Sequence, residues 1–82
     1  MTVFEIGKLY RWPGKDTCWT LYDNDGKWTN GLLSHQDIFL VLSFKKKDIV
    51  IDLYTIKVLI SNGIIGIINI HKTYIRQFVK LQ

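Results

Sequence analysis

Two runs of β-branched residues joined by Asn62-Gly63 constrain the fold of this chain more than any other stretch. Residues 56–61 are Ile-Lys-Val-Leu-Ile-Ser, and residues 64–68 are Ile-Ile-Gly-Ile-Ile. Asn-Gly between two such runs is the strongest short-range signal for a β-hairpin, because both central residues of a type I′ turn need a positive φ. We therefore predict a hairpin of strands 54–61 and 64–70, within a larger antiparallel sheet.

The predicted turn also decides which side chains share a face of the hairpin. A two-residue turn makes Ser61 and Ile64 the closing pair, and the side chains then alternate outward from that pair. This register places Gly66 opposite Leu59, where the missing Cβ indicates a strong bend or a close packing contact. The residues expected to face the core are Ile56, Val58, Ile60, Ile65 and Ile67.

Composition also favours strands over helices. The 82 residues include 12 Ile, 9 Leu and 5 Val but no Ala. Ala is the best helix former, whereas Ile packs well on a pleated surface. A chain of this length forms one domain, 1–82, whose core must be dense in large apolar side chains. The Ile-rich, Ala-free composition also suggests an AT-rich genome, such as that of a phage.

Turn signals divide the rest of the chain into short strands. Breakers occur at Trp12-Pro13-Gly14, at Asp23-Asn24-Asp25-Gly26 and at Asn30-Gly31. We predict strands at 6–12, 17–22, 27–29 and 37–44. Residues 73–81 are expected to form a short 3₁₀ turn followed by a last strand, or a brief helix.

Three short motifs follow one another along the chain. They are Leu21-Tyr22-Asp23, Leu33-Ser34 ahead of residues 37–42, and Gly63-x-x-Gly66-Ile67-Ile68 followed by Tyr74-Ile75. These motifs resemble the ALYDY box, the LSF turn, and the G-x-x-G-Y-I-P corner with its terminal Tyr-Val of the Src-homology-3 (SH3) barrel and its bacterial and viral relatives. The resemblance covers residues 18–80 and implies an all-β fold, a small barrel of five to six short antiparallel strands with a 3₁₀ turn before the last one.

The chain departs from the family at the peptide groove. The groove Trp corresponds to a position near Thr55, the groove Pro to Asn69, and the second Tyr of the ALYDY box to Asn24. The acidic run that recognises a basic ligand residue is replaced by residues 26–29, Gly-Lys-Trp-Thr. The resemblance therefore implies the fold but not the usual binding of Pro-rich peptides.

Aromatic residues are concentrated in the first 28 positions, next to predicted turns. Exposed Trp and Tyr side chains are frequent hot spots of protein interfaces, although large aromatic residues also fill cores. We predict that a protein partner contacts Trp12, Tyr22 and Trp28, with Lys27 and either Asp23 or Asp25 at the rim. Tyr74, the other groove position retained from the family, is added to this set.

A run of three lysines offers an alternative. Lys45-Lys46-Lys47 is predicted to form a loop that, together with Lys8 and Arg11, could contact phosphates while the aromatic residues stack on bases. The net charge of +4 permits such binding without requiring it. The competing interpretation of the three lysines is a solvated loop tip near Asp48 and Asp52.

Residues suited to catalysis or metal binding do not cluster in the sequence. Cys18 is the only cysteine, so neither an intrachain disulfide nor a cysteine zinc site is expected, and its thiol is predicted to be buried. His35 and His71 lack partners at ligand spacing. We expect no enzyme activity, no metal and no cofactor. We also expect no membrane segment and a cytoplasmic location, because the N-terminal residues lack the pattern of a secretory signal.

The sequence thus leaves three functional interpretations. The first is a non-enzymatic module that binds a protein through its aromatic loops. The second is a nucleic-acid binder that uses the same aromatic residues and the lysines. The third is a structural subunit of a homo-oligomer, which exposed Ile64 and Ile68 would support.

Overall fold

In a computed structural model, seven strands and one helical turn account for the regular structure of the chain. The structure describes residues 4–15, 17–48 and 50–81, of which residues 47 and 48 are described without their side chains. The elements are β1 (Leu9–Arg11), β2 (Trp19–Tyr22), β3 (Trp28–Leu33), β4 (Ile38–Asp48), β5 (Leu53–Ile60), β6 (Ile65–His71), α1 (Lys72–Ile75) and β7 (Val79–Lys80).

The strands form one antiparallel sheet in the order β3-β2-β6-β5-β4-β1-β7. Strands β4, β5 and β6 form the central meander, to which β1 and β7 add on one side and the β2–β3 hairpin on the other. The predicted all-β class is confirmed. The sheet has seven strands rather than five or six, and within the described residues no ladder joins its end strands β3 and β7. The hydrogen-bonded sheet is therefore not closed, in contrast to the predicted barrel.

The turn between β5 and β6 differs from the predicted one. The Gly63 N–H donates to the Ile60 carbonyl at 3.0 Å, and the Ile60 N–H donates to the Ile64 carbonyl at 3.0 Å. The loop is therefore three residues long, with Gly63 alone at a positive φ of 91°. This arrangement is a type I turn followed by a glycine bulge, which is the next most common hairpin connection after the two-residue turns.

The longer loop shifts the register of β6 by one residue. Leu59 now lies opposite Ile65, and Lys57 lies opposite Ile67. Since side chains alternate along a strand, this slip moves Ile65 and Ile67 away from the core, and Ile68 takes a core position instead. The prediction was right for the three core residues of β5 and wrong for Ile65 and Ile67.

Aromatic side chains fill the centre of the core. The Phe4 ring lies 4.8 Å from the Tyr10 ring and 5.2 Å from the Phe78 ring, both edge to face. Trp12 is 1% exposed, and its indole N–H donates to the Thr17 carbonyl at 2.7 Å. The aliphatic part of the core comprises Leu21, Leu33, Val41, Ile56, Val58, Ile60, Ile68, Ile70 and Ile75.

A single helical turn leads from β6 to the last strand. The His71 side chain caps α1 by accepting a hydrogen bond from the Thr73 N–H, and β7 then pairs with β1. The predicted short turn before a final strand is confirmed, although the turn is α-helical. None of the helical structure described is long and apolar enough to cross a membrane.

Candidate functional site

The outer face of the meander is the side of β4, β5 and β6 that points away from the core. Antiparallel register aligns residues across these strands in rows. One row contains Ser43, Lys57 and Ile67. The next row contains Lys45, Thr55 and Asn69. Both rows combine cationic side chains with neutral ones.

The β2–β3 hairpin extends the first of these rows. Tyr22 lies opposite Ile67 of β6 and opposite Trp28 of β3. Tyr22 is 38% exposed and Trp28 is 54% exposed, so both rings are accessible. The row therefore crosses five strands, in the order Trp28, Tyr22, Ile67, Lys57 and Ser43.

Between the tip of this hairpin and the meander lies an open groove of about 600 Å³, called here the Tyr22 groove. A smaller depression of about 140 Å³ shares Tyr22 and Ile67 with it and adds Lys57 and Ile65. The residues that line the groove are Tyr22, Asp23, Asn24, Gly26, Lys45, Thr55, Ile67 and Asn69.

The hairpin tip forms one wall of the groove and is held by its own hydrogen bonds. Asp23 Oδ1 accepts from the backbone N–H groups of Asp25 at 2.8 Å and Lys27 at 2.9 Å. Gly26 supplies the positive φ, of 80°, that closes the turn. The predicted turn is confirmed, and it fixes the Asp23 carboxylate at the edge of the groove.

The floor of the groove is polar. Thr55 Oγ1 donates to Asn69 Oδ1 at 3.1 Å across β5 and β6. Thr55 and Asn69 occupy the positions where the family resemblance places the groove Trp and Pro. Thr55 and Asn69 thus give the groove a hydrogen-bonded polar pair beside Ile67.

The three consecutive lysines do not form the predicted basic loop. They belong to strand β4, where successive side chains point to opposite faces. Lys45 lines the Tyr22 groove, and the Lys47 side chain lies outside the described residues. Lys46 forms an ion pair with Asp52 at 2.9 Å, and its ammonium lies 5.5 Å from the Tyr54 ring centroid.

That ion pair changes the titration of both partners. The hydrogen bond from Lys46 lowers the pKa of Asp52, and the same hydrogen bond raises the pKa of Lys46. Of the three lysines, Lys46 is thus already neutralised by a carboxylate. Lys46 lies opposite Tyr54 and is not among the residues that line the Tyr22 groove.

Lys8 and Arg11, the other predicted phosphate contacts, lie away from the groove. Arg11 is in β1, opposite Ile38 at the start of β4, and Lys8 is exposed just before that strand. Lys45 is seven residues further along β4 than Ile38, which puts it up to about 23 Å from Arg11 in an extended strand. Lys8 lies beside Val41, whose N–H donates to the Lys8 carbonyl, and it is four residues, or about 13 Å, from Lys45. The structure therefore does not gather these basic residues into one patch.

The predicted aromatic site is only partly assembled. Because Trp12 is buried in the core, the prediction that its ring contacts a partner is wrong. Tyr74 is exposed, but its ring packs edge to face on Trp19 at 5.3 Å, at the opposite end of β2 from Tyr22. Lys27 is exposed on the hairpin tip, beside Trp28. Tyr22, Trp28 and Lys27 thus remain together.

The histidines and the cysteine have separate surroundings. His35 Nδ1 lies 3.0 Å from the Pro13 carbonyl oxygen, in a loop contact. Cys18 is exposed, which corrects the prediction of a buried thiol. Within the part of the chain that the structure describes, no three His, Cys, Asp or Glu side chains are grouped so that they could hold a metal ion.

Sequence reasoning missed three residues of the Tyr22 groove, Thr55, Ile67 and Asn69, and Lys57 of the smaller depression beside it. Lys57 and Asn69 interrupt the apolar runs of the hairpin, and that interruption was an available signal for an exposed face. Thr55 was noted only as the position where the family has Trp, and Ile67 was assigned to the core because the turn type was wrong.

In comparisons with known proteins, no family model, no curated protein and no solved structure matches the chain.

Proposed function

We propose that the chain is a non-enzymatic, SH3-like binding module that holds an extended segment of a protein partner in the Tyr22 groove. The fold part of the proposal is supported by the succession of elements. The chain has a first strand, a turn-rich hairpin, a long strand, a tight hairpin, a helical turn and a last strand that pairs with the first. The family order that the sequence resembles differs from this one by a basic loop in place of the lysine-containing end of β4.

The groove itself is the observation that carries the functional part. Its volume of about 600 Å³ is within the range of ordinary binding sites. Tyr22 lies in the groove, and Trp28 follows it in the same cross-strand row. Exposed Tyr and Trp side chains contribute strongly to protein interfaces, because they bury a large area with few rotatable bonds.

The two other interpretations have less support. A nucleic-acid site would be favoured by clustered cations, whereas Lys46 is paired with Asp52 and the Asp23 carboxylate stands at the groove edge. The oligomer interpretation relied on exposed Ile64 and Ile68. Ile68 is 1% exposed, and Ile64 is packed against the core.

The proposal can be tested with a phage-displayed library of random 12-residue peptides selected on the folded protein. Individual peptides are then measured against Tyr22→Ala and against Ile38→Ala, an exposed residue at the far end of β4. We expect Tyr22→Ala to weaken binding at least tenfold, about 1.4 kcal/mol, and Ile38→Ala to leave it unchanged.

Two results would contradict the proposal. One is a selection that yields no peptide whose binding depends on Tyr22. The other is quenching of tryptophan fluorescence by an oligothymidylate that is strong at low salt and lost at physiological salt, since that would favour nucleic acid.

A further inference from the structure

The polarity of the outer face of the meander changes along the strands. Near the β5–β6 turn, it presents the apolar row of Leu40, Leu59 and Ile65. The row with Lys57 and Ile67 follows, and the polar row with Lys45 comes last. Along β5 and β6, successive rows are two residues apart, about 6.6 Å, and the bulge between Val41 and Ser43 adds one residue in β4. A ligand that runs along these strands would therefore meet apolar surface first and cationic surface next.

The two lysines on this face are close to each other. Lys57 is paired with Ser43, and Lys45 is two residues further along β4, so the lysines are diagonal neighbours about 7–8 Å apart. Ion pairs among the described side chains join Lys46 to Asp52 and Lys80 to Glu5, and neither pair includes Lys45 or Lys57. Among the side chains that the structure describes, Lys45 and Lys57 of the outer face thus have no carboxylate partner.

Of the two lysines, Lys57 gives the stronger argument for a bound anion. It is half-buried and lines the smaller depression together with Tyr22, Ile65 and Ile67. The partial burial of the Lys57 side chain restricts the positions that its ammonium can take, compared with a fully exposed lysine. A carboxylate placed between Lys57 and Lys45 would therefore be held in a defined position.

One carboxylate of the chain, Asp23, lines the same groove. Its Oδ1 is occupied by two backbone N–H groups of the hairpin tip, which keep it on the opposite wall from the strands. The groove consequently has an acidic edge on the side of the hairpin and Lys45 on the side of the strands, with Lys57 in the adjoining depression. This asymmetry favours a ligand whose negative charge faces the strands rather than the hairpin.

From these observations, we infer that the Tyr22 groove selects an acidic, extended protein segment. An apolar side chain of the segment packs on Tyr22, Ile65 and Ile67. An Asp or Glu two residues away lies between Lys57 and Lys45. The inference rests on the proposed function and adds the chemistry of the ligand to it. Both ligand side chains point the same way, because residues two apart share a face of an extended strand.

The test uses the peptides that bind in a Tyr22-dependent manner. Each peptide is resynthesised with Asp and Glu replaced by Asn and Gln, and both forms are titrated against the wild type and against Lys45→Glu/Lys57→Glu. Lys15→Glu in the β1–β2 loop is the matched control, since it changes the net charge at an exposed site outside the groove.

We expect the selected peptides to be enriched in an acidic residue two positions from an apolar one. The amide form should bind the wild type about tenfold more weakly than the acidic form. The order should reverse in Lys45→Glu/Lys57→Glu, because the two introduced carboxylates repel the acidic peptide and not its amide form. Lys15→Glu should behave as the wild type. If circular dichroism shows that the double variant is unfolded, the single variants Lys45→Gln and Lys57→Gln are titrated instead, and each should reduce the difference.

The possible failures can be told apart. Tyr22-dependent peptides without an acidic preference would overturn this inference and leave the proposed function standing. An acidic preference that survives substitution of both lysines would also overturn it. A selection without any Tyr22-dependent peptide would overturn the inference together with the proposed function.

Discussion

Gly66 of β6 lies directly against Leu21 of β2, so closely that a Cβ built on Gly66 would come within 2.5 Å of the Leu21 Cβ. Leu21 is fully buried, and the neighbouring residue of β2, Tyr22, pairs with Ile67. The close approach of the two strands therefore brings the β2–β3 hairpin against the meander. The close packing contact predicted at Gly66 is confirmed, although the residue opposite Gly66 is Val58 rather than Leu59.

This contact predicts that Gly66→Ala destabilises the protein. The added methyl group meets a side-chain Cβ that cannot rotate away, so the strands must separate, at a cost of about 1–3 kcal/mol. Guanidinium denaturation followed by circular dichroism measures the loss. A methyl group at Gly63 meets no atom within 4 Å, and Gly63→Asn keeps a residue that tolerates the positive φ, so this variant should remain close to the wild type. Equal losses for the two variants would contradict the packing explanation.

Trp12 and Trp28 form a second pair for comparison, since they are the same residue type in opposite surroundings. Trp12→Ala removes a fully buried ring and should cost about 3–5 kcal/mol, a large part of the stability of a domain of this size. Trp28→Ala removes an exposed ring and should change stability by no more than about 0.5 kcal/mol. Thermal and chemical unfolding measure both. A loss of about 3 kcal/mol or more for Trp28→Ala would place this ring in the core and exclude it from a binding surface.

Ser61→Pro distinguishes the observed β5–β6 turn from the one that the sequence predicted. In the observed type I turn, Ser61 is the first central residue, a position that favours Pro, and the ladder closes at Ile60 and Ile64. The substitution should leave stability unchanged or raise it by up to about 1 kcal/mol. In a two-residue turn, Ser61 would be the closing strand residue, and Pro would remove its hydrogen bond. A clear drop in the unfolding midpoint would therefore contradict the three-residue loop.

Most of the strand positions followed from local signals. Asp23 and Gly26 marked one hairpin, and the alternating apolar residues of β5 marked its core face, because these patterns reflect turn geometry and burial within a few residues. The sequence predicts a close packing contact at Gly66, because a glycine inside an apolar strand often marks a site where another part of the backbone approaches closely.

The Tyr22 groove could not be predicted with the same reliability. Its floor depends on whether the hairpin loop has two residues or three, and Asn-Gly is compatible with both. That difference alone decides whether Ile67 faces the core or the groove. The burial of Trp12 is likewise set by Phe78, which is distant in sequence and packs on its ring at 4.8 Å. Three consecutive lysines are typical of a solvent-exposed loop, yet here they belong to strand β4.

The ion pair between Lys46 and Asp52 predicts a specific dependence of stability on pH. Lys46 lowers the pKa of Asp52 below its ordinary value of 3.8, so the folded protein binds this proton less readily than the unfolded chain does. The stabilisation is therefore complete above the unfolded pKa and is lost as the pH falls through the lower folded pKa. We expect Asp52→Asn to reduce the melting temperature slightly between pH 5 and 8, and the difference from the wild type to vanish in strong acid.

Lys46→Gln should add little in the Asp52→Asn background, because the pair is already broken, and 1 M NaCl should shrink the difference at neutral pH. A difference that stays constant down to the lowest pH would show that Asp52 acts through the turn it occupies rather than through its charge.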